Sequence, residues 1–401
     1  MHSRFSSLQI SVVITLVIAA LSGGFFFVTG SHIPKYLIFA ASLITIVLAA
    51  RAKNFSLYFN WTTIRNFFIP WLPWYCSTII LVCFFAGVPA YKEILNSFLL
   101  LACLFFALYA KDITREQVMA CLGIALLLMT LSINFQVLST GDVSNDIIGA
   151  NKNKVLTVAS ALTVCCIGSL LFDGKTYSRK TKIILVASII SSVAAIILAE
   201  VRTAILPFLA LIPVVLYLYK GNKTIVFIFV LSAILLLALS FLTGRMQQGI
   251  VDLQNYNHGN ANSSWGIRLE LWKFVLRGFL DSPFFGWGEN PLNAMLETGH
   301  TIGIKVTKYY HFHNDFLNWL AIGGLFGIAG WLSTVGLLAK QAFKDPARLF
   351  FLVGCLAVGL TEQFWFQRTT LFSCVTIWTL LYISAPVGSG EKSVSDSATT
   401  A

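Results

Sequence analysis

Long apolar runs alternate with short polar connections along this chain. An α-helix needs about 20 apolar residues to cross the hydrocarbon core of a bilayer, and twelve runs approach that length. The pattern therefore predicts an all-α polytopic membrane protein with about twelve transmembrane helices. The runs lie near residues 9–28, 33–50, 67–87, 94–110, 117–138, 153–172, 182–200, 203–219, 224–243, 314–339, 347–364 and 369–386.

One connection is much longer than the others. Residues 244–312 separate the ninth run from the tenth, and we predict a large, partly helical extramembrane loop there. Its first part, 247–264, is rich in Asn, Gln and Gly and is expected to be irregular. The chain thus divides into nine helices over 1–243, the loop, three helices over 313–387, and a Ser/Thr-rich tail over 388–401 that is expected to be disordered.

A helix is predicted in the second part of this loop. Ser263 or Ser264 can cap a helix that runs to about Leu280. Arg268 and Trp272 are four residues apart and therefore share a face of it. A basic, Trp-bearing amphipathic helix suits a membrane interface.

Composition agrees with a membrane protein. The 401 residues are 57% hydrophobic and 11% charged, with a mean hydropathy of +0.78, whereas soluble domains carry about 25% charged residues. The first apolar run is longer than a signal-peptide core and is expected to be retained as a helix.

The net charge of +11 is interpreted as a topology signal. Sixteen of the 28 Lys and Arg residues fall on the side of the N-terminus, which places both termini in the cytoplasm and the long loop outside. No basic patch with stacking aromatics predicts nucleic-acid binding. The eight cysteines all lie in apolar runs without a CxxC pair, so we predict no disulfide framework, structural zinc or cofactor.

The strongest candidate chemistry directly precedes the tenth run. His311, His313, Asn314 and Asp315 stand at the start of that helix. The positive end of the helix dipole favours a neutral imidazole at His313, which can act as a general base. The alternative is an interfacial histidine without a catalytic role, and for His311 we keep that interpretation. A metal site is disfavoured because no further ligand set is evident.

Glycines follow in the same helix. Gly323, Gly327 and Gly330 are four and three residues apart, so they share a face. Small residues at this spacing allow two membrane helices to approach closely. We therefore expect this face to pack against another helix and to hold His313 in place.

Further charged residues lie at the predicted outer boundary. Arg202 follows Glu200 between two apolar runs, where a charge is costly unless it is paired or used. Its guanidinium suits a diphosphate, and Arg268 offers a second such group. The alternatives are a contact of Arg202 with Glu200 or a lipid phosphate, and a solvated helix face for Arg268. Glu362 and Arg368, in the last outer turn, either line the same cavity or pair with each other, and we expect them to pair.

Four features follow one another along the chain: the pair Arg202-Thr203, the helix motif Arg268-x-x-x-Trp272, the turn Pro283-x-x-Gly286-x-Gly288, and His313-Asn314 before a glycine-rich helix. This ordered set resembles the O-antigen ligase superfamily, which includes lipopolysaccharide O-antigen ligases, O-antigen polymerases and some bacterial protein O-oligosaccharyltransferases. One departure is Val201, where the family usually has Ser before the arginine.

The resemblance implies a function for these residues. The fold would resemble the C-type membrane glycosyltransferases, in the bacterial inner membrane, with the site at the periplasmic face. The donor would be an undecaprenyl diphosphate-linked O-antigen, the acceptor a sugar hydroxyl of lipid A–core, and no metal would be needed. His313 would be the catalytic base, and Arg202 and Arg268 would bind the diphosphate. Possible supporting residues are Glu200, Trp272, His311, Asn314 and Asp315.

Several alternatives remain open at this point. The short connection at 139–153 favours a ligase over a polymerase, because polymerases usually carry a second large outer loop. A protein O-oligosaccharyltransferase would share the donor and differ in the acceptor. A transporter of lipid-linked glycans is disfavoured, because we find no internal repeat and few charges within the apolar runs.

Overall fold

The computed structural model describes the middle and the C-terminal part of the chain. The predicted runs at 9–28 and 33–50, most of the run at 94–110, and the predicted tail lie outside the described residues. The described residues are 61–84, 94–98, 102, 114–141, 146–147, 150–242, 244–288, 290–304 and 311–384.

Helices dominate these residues. The only strands among them are two-residue strands that pair antiparallel, β1 (Asp146–Ile147) and β2 (Ala150–Asn151), with Asp146 opposite Asn151. Short 3-10 segments, Ile69–Trp71 and Arg202–Ile205, precede α2 and α6. The helices are α1 (Trp61–Phe68), α2 (Leu72–Phe84), α3 (Arg115–Thr140), α4 (Lys152–Asp173), α5 (Arg179–Leu198), α6 (Leu206–Leu218), α7 (Lys223–Leu242), α8 (Arg245–Asn257), α9 (Ser264–Asp281), α10 (Pro291–Glu297), α11 (Asp315–Ala342), α12 (Pro346–Gly359) and α13 (Arg368–Ile383).

The apolar runs that fall in these ranges form helices close to their predicted positions. The runs at 117–138, 153–172 and 182–200, for example, become α3, α4 and α5. Helices satisfy their own backbone hydrogen bonds, as a lipid environment requires. These findings support a multi-pass membrane protein, while the total of about twelve helices remains a prediction. Among the described residues, six helical stretches are long and apolar enough to span a membrane: Trp61–Phe84, Arg115–Thr140, Asn153–Asp173, Arg179–Leu198, Lys223–Leu242 and Asp315–Ala342.

The prediction of an irregular segment over 247–264 was wrong for its first half, because α8 occupies Arg245–Asn257. Gly249, Asp252 and Tyr256 are three and four residues apart and are among the less exposed positions of this helix. The Tyr256 hydroxyl lies 2.5 Å from Oε1 of Glu270 on α9. Tertiary contacts along one face thus outweigh the low helix propensity of Asn and Gly.

The glycine face of α11 packs against α2, as expected. A β-carbon at Gly323 would lie 2.7 Å from a methyl group of Leu81, and one at Gly330 would clash with Ser77 and lie 2.9 Å from the Pro73 carbonyl. The small residues therefore permit the close approach of the two helices.

The helix α11 is broken at Gly324, which was not expected. Gly324 has φ 56° and ψ −150°, a conformation that residues with a β-carbon rarely adopt. The turn at 283–288 docks into this break. It donates from Trp287 N to Ala321 O (2.8 Å) and accepts at Pro283 O from Leu325 N (2.8 Å). The turn thereby replaces backbone hydrogen bonds that the break removes.

Buried aromatic residues form the core beneath the start of α11. Trp74, Trp319 and Trp365 are fully buried. The Trp74 and Trp319 rings meet edge to face at 5.9 Å between centroids, and the Trp74 and Trp365 rings at 5.8 Å. Because Trp365 belongs to the connection between α12 and α13, this packing anchors that connection beside the first turn of α11.

Candidate active site

A cavity of about 380 Å³ lies where four segments of the chain meet. Two of its walls are formed by the first turn of α4 and the first turns of α9. The other two are formed by the residues before α11 and by the connection from α12 to α13. Its lining residues are Asn153, Lys154, Thr157, Ser264, Ile267, Arg268, His311, His313, Glu362, Gln363 and Gln367.

His313 occupies a strained position at the edge of this cavity. It lies immediately before the N-cap residue Asn314, not on the first helical turn as expected. Its φ of 50° is in the left-handed region, which is uncommon for a residue with a β-carbon. Such strain persists when surrounding contacts hold the residue in place, and it concentrates at functional sites. Here the imidazole Nδ1 lies 3.3 Å from Oε2 of Glu362.

Glu362 links the histidine to an arginine. Its other oxygen, Oε1, accepts a hydrogen bond of 2.8 Å from Nη2 of Arg268. Burial alone raises the pKa of Glu362, but the hydrogen bond from His313 and the charge of Arg268 outweigh it, so the pKa lies below its ordinary value. The carboxylate is therefore ionised at neutral pH. The sequence favoured Arg368 as its partner, and the side chain of Arg368 lies outside the part of the chain that the structure describes. These two partners were not predicted.

The motif residues that follow His313 hold the connection that carries Glu362. The Asn314 amide donates to Leu360 O at 2.8 Å, while its oxygen caps α11 by accepting from Leu317 N at 3.0 Å. The fully buried Asp315 carboxylate accepts from the backbone N–H groups of Phe364 and Trp365 at 3.0–3.1 Å. Both side chains therefore have a positioning role for Glu362.

The helix α9 brings Arg268 to the same cavity. Ser263 caps it by accepting from Gly266 N at 3.1 Å, as predicted. Trp272, on the face of Arg268, donates from its indole Nε1 to Phe312 O at 2.9 Å. This bond ties α9 to the residue that directly precedes His313. The guanidinium of Arg268 also lies 5.8 Å from the ring centroid of Trp265.

His311, for which no catalytic role was expected, lines the cavity. Its ring centroid is 4.2 Å from that of His313. Burial and the neighbouring His313 lower the pKa of His311 to about 4, so its imidazole is neutral at neutral pH. His311 therefore forms part of the surroundings of His313.

Arg202 and Glu200 do not line the cavity. Nη1 of Arg202 lies 4.0 Å from Oδ2 of Asp252 on α8, and Glu200 has φ 55° just after α5. A β-carbon added at Gly249 would lie 2.8 Å from Nη1 of Arg202 and 3.5 Å from Nε1 of Trp265. Gly249 thus lies close to both Arg202 and Trp265.

These groups support acid–base and anion-binding chemistry. With Nδ1 of His313 turned to a carboxylate, Nε2 is the nitrogen that accepts a proton. A guanidinium in the same cavity can hold phosphate oxygens. Within the described ranges, no group of three or more His, Cys, Asp or Glu residues is arranged to hold a metal ion.

Two charged groups of this cavity were not assigned to it from the sequence. Lys154 was counted only among the Lys and Arg residues of the connections, and for Glu362 a pair with Arg368 was preferred to a place in the cavity. No local spacing connects either residue to His313, because the contacts form only when distant helices pack.

Comparisons with known proteins match the region that carries most of these groups. Residues 186–332 match a family model described as O-antigen ligase. A curated O-antigen ligase of Escherichia coli (strain K12) is 24% identical over 200 residues, which is 46% of this chain and 48% of the relative. The chain therefore spans about half the length of this curated relative. The range of the family model includes Arg202, Arg268 and His313, and both matches support the resemblance to the O-antigen ligase superfamily.

Proposed function

We propose that the protein is an O-antigen ligase: it transfers a glycan from undecaprenyl diphosphate to a sugar hydroxyl of lipid A–core, with inversion and without a metal. The observation that carries the proposal is the convergence of Arg268, Glu362 and His313 on one cavity at the start of a membrane helix. A family match over residues 186–332 gives independent support for ligase-type transfer.

The chemistry follows from the three groups. His313 Nε2 takes the proton of the acceptor hydroxyl while its oxygen attacks the anomeric carbon of the donor sugar. The bond from that carbon to the diphosphate oxygen breaks, and undecaprenyl diphosphate leaves with the electron pair. Arg268 binds the diphosphate and stabilises the charge that develops on it. Glu362 stabilises the imidazolium that forms.

Arg202 is the second proposed diphosphate ligand, at the edge of the site. Its Nη1 lies 4.0 Å from Oδ2 of Asp252 on α8, and Gly249 of the same helix lies close to both Arg202 and Trp265. The planar guanidinium of Arg202 can bind phosphate oxygens through two parallel hydrogen bonds. Among the other supporting residues, Trp272, Asn314 and Asp315 position the groups that react.

The location of the site is also part of the proposal. The distribution of Lys and Arg favours an inner-membrane protein with both termini in the cytoplasm. The segment 244–312 and the start of α11 would then face the periplasm. The donor is already activated as a diphosphate, so the reaction there needs no nucleotide.

The test is a transfer reaction with purified protein. Undecaprenyl diphosphate-linked glycan and lipid A–core are mixed with the protein in the presence of EDTA, and the products are separated on a gel. We expect a shifted lipid A–core band. His313→Ala should lower the rate by about 100-fold or more, since general-base catalysis contributes at least that much. His258→Ala, at an exposed position just after α8, is the matched control and should leave the rate unchanged.

The products distinguish the alternatives. Undiminished transfer by His313→Ala would remove the base from the mechanism. A longer glycan on the undecaprenyl carrier would identify a polymerase, and a glycan on added protein would identify a protein O-oligosaccharyltransferase. Loss of transfer with EDTA would contradict metal independence.

A further inference from the structure

Lys154 is a cation of the cavity that the mechanism above does not use. It lies in the first turn of α4, directly after the β1–β2 pair, and it lines the cavity together with Arg268. The charges of Lys154 and Glu362 are close enough to interact. Lys154 is carried by α4, which packs against α12, whereas Arg268 is carried by α9. The two cations therefore reach the cavity from different segments.

The charge balance of the cavity favours an anion. Arg268 and Lys154 each carry a positive charge, and Glu362 is the acidic residue among the lining residues. Burial keeps His311 neutral, with a pKa of about 4. The cavity therefore has one net positive charge before His313 takes up a proton. A net positive charge in a cavity attracts an anionic group.

We infer that Lys154 is a third diphosphate-binding residue beside Arg268 and Arg202, and that it holds phosphate oxygens from the wall of α4 while Arg268 holds them from α9. This inference rests on the proposed function, since it assigns the donor to this cavity. A diphosphate diester carries two negative charges and several acceptor oxygens, so it can accept from cations of two segments at once. A monophosphate has fewer acceptor oxygens and a shorter reach between them.

The structure also explains why an ammonium suits this position. A lysine side chain places a compact charge on a flexible stem, so it can follow a leaving group as the glycosidic bond breaks. Arg268 presents a planar guanidinium, which contacts Ser264, at 3.2 Å, and Glu362. The two cations would therefore bind the two phosphate groups in different ways.

The experiment measures binding of undecaprenyl diphosphate, without glycan, to the full-length protein in nanodiscs. Undecaprenyl monophosphate is the second probe. We expect Lys154→Gln to weaken diphosphate binding by about ten-fold or more, the effect of losing one charge-assisted hydrogen bond. Binding of the monophosphate should fall less, and Lys154→Arg should restore most of the diphosphate affinity. Lys273→Gln, at an exposed lysine of α9 outside the cavity, is the matched control.

Each outcome decides between the inference and the proposed function. If wild-type protein binds the diphosphate and the affinity of Lys154→Gln is within two-fold of the wild-type value, the inference is overturned and the proposed function is not. Wild-type protein that does not bind the diphosphate contradicts the donor assignment, and the inference falls with it. Thermal melting of each variant shows whether it is folded, and Lys154→Met replaces Lys154→Gln if the latter melts at a lower temperature.

Discussion

Replacing Glu362 by glutamine removes one negative charge from the cavity and keeps nearly the same side-chain volume. In the wild-type protein this carboxylate contacts both the proposed base and the proposed diphosphate ligand, at 3.3 Å to His313 and 2.8 Å to Arg268. The substitution therefore has opposite effects on the two partners. The imidazolium that forms during transfer loses its counter-charge, whereas Arg268 loses a competitor for the phosphate.

The size of the effect can be worked from these contacts. Glu362 is 20% exposed and Arg268 14% exposed, so bulk water screens the group only in part. A hydrogen bond to a charged group contributes about 1.5–3 kcal/mol, and 1.36 kcal/mol corresponds to ten-fold in rate. We therefore expect kcat to fall by about 10- to 150-fold, while the KM for the donor stays the same or decreases.

The assay is steady-state transfer at varied donor concentration, with lipid A–core in excess. Glu297→Gln is the control, because it makes the same change at an exposed acid at the end of α10. A merely structural role of Glu362 would lower kcat and raise the donor KM together, with a lower melting temperature. A Glu362→Gln protein with wild-type kcat would refute the coupling of this carboxylate to His313.

Two further predictions concern neighbours of the site. Gly249→Ala should keep or slightly raise the melting temperature, because Ala favours a helix by about 1 kcal/mol. It should still slow transfer by about ten-fold or more, because the new β-carbon would displace the flexible end of Arg202, 2.8 Å away. Gly336→Ala, with nothing within 4 Å, should change neither quantity, and normal transfer by Gly249→Ala would argue against Arg202 as a ligand. The second prediction is that the free energy of unfolding falls as the pH drops from about 6.5 towards 4. The pKa of His311 is near 4 in the folded protein, so in this range the folded protein binds fewer protons than the unfolded protein does. The contribution is at most about 3 kcal/mol; melting in detergent at pH 7.5 and 5 measures it, and an equal drop in His311→Asn would contradict its origin.

The helices could be predicted from the sequence because a bilayer imposes a strong rule on them. An apolar run of the right length has few alternatives to a helix, so α3, α4 and α5 were found within a few residues. The helix α8 was missed because its Asn, Gln and Gly residues are typical of loops. The signal for a helix was the spacing of Gly249, Asp252 and Tyr256, which places them on one face. That face packs against α9 and so stabilises the helix.

The site could be predicted only where its parts are local in sequence. Arg268 and Trp272 share a face because they are four residues apart, and the cap at Ser263 follows from its place before an amphipathic helix. Glu362 and Lys154 have no such neighbours. The carboxylate of Glu362 reaches His313 from 49 positions away, and only the docking of its connection on Asn314 and Asp315 brings it there.

The break in α11 shows how the site acquires a fixed geometry. A β-carbon at Gly324 would lie 2.6 Å from the carbonyl oxygen of Pro283, so glycine is required both for its positive φ and for the docking of the turn at 283–288. That turn follows directly after α9, the helix of Arg268. A second connection of α9 is the hydrogen bond from Trp272 Nε1 to Phe312 O, just before the start of α11. Two ties at separate points restrain both translation and rotation of α9 relative to His313. Because the arginine and the histidine are fixed in this way before substrate arrives, little conformational entropy remains to be lost when the diphosphate binds, and preorganised charges of this kind stabilise a transition state most effectively.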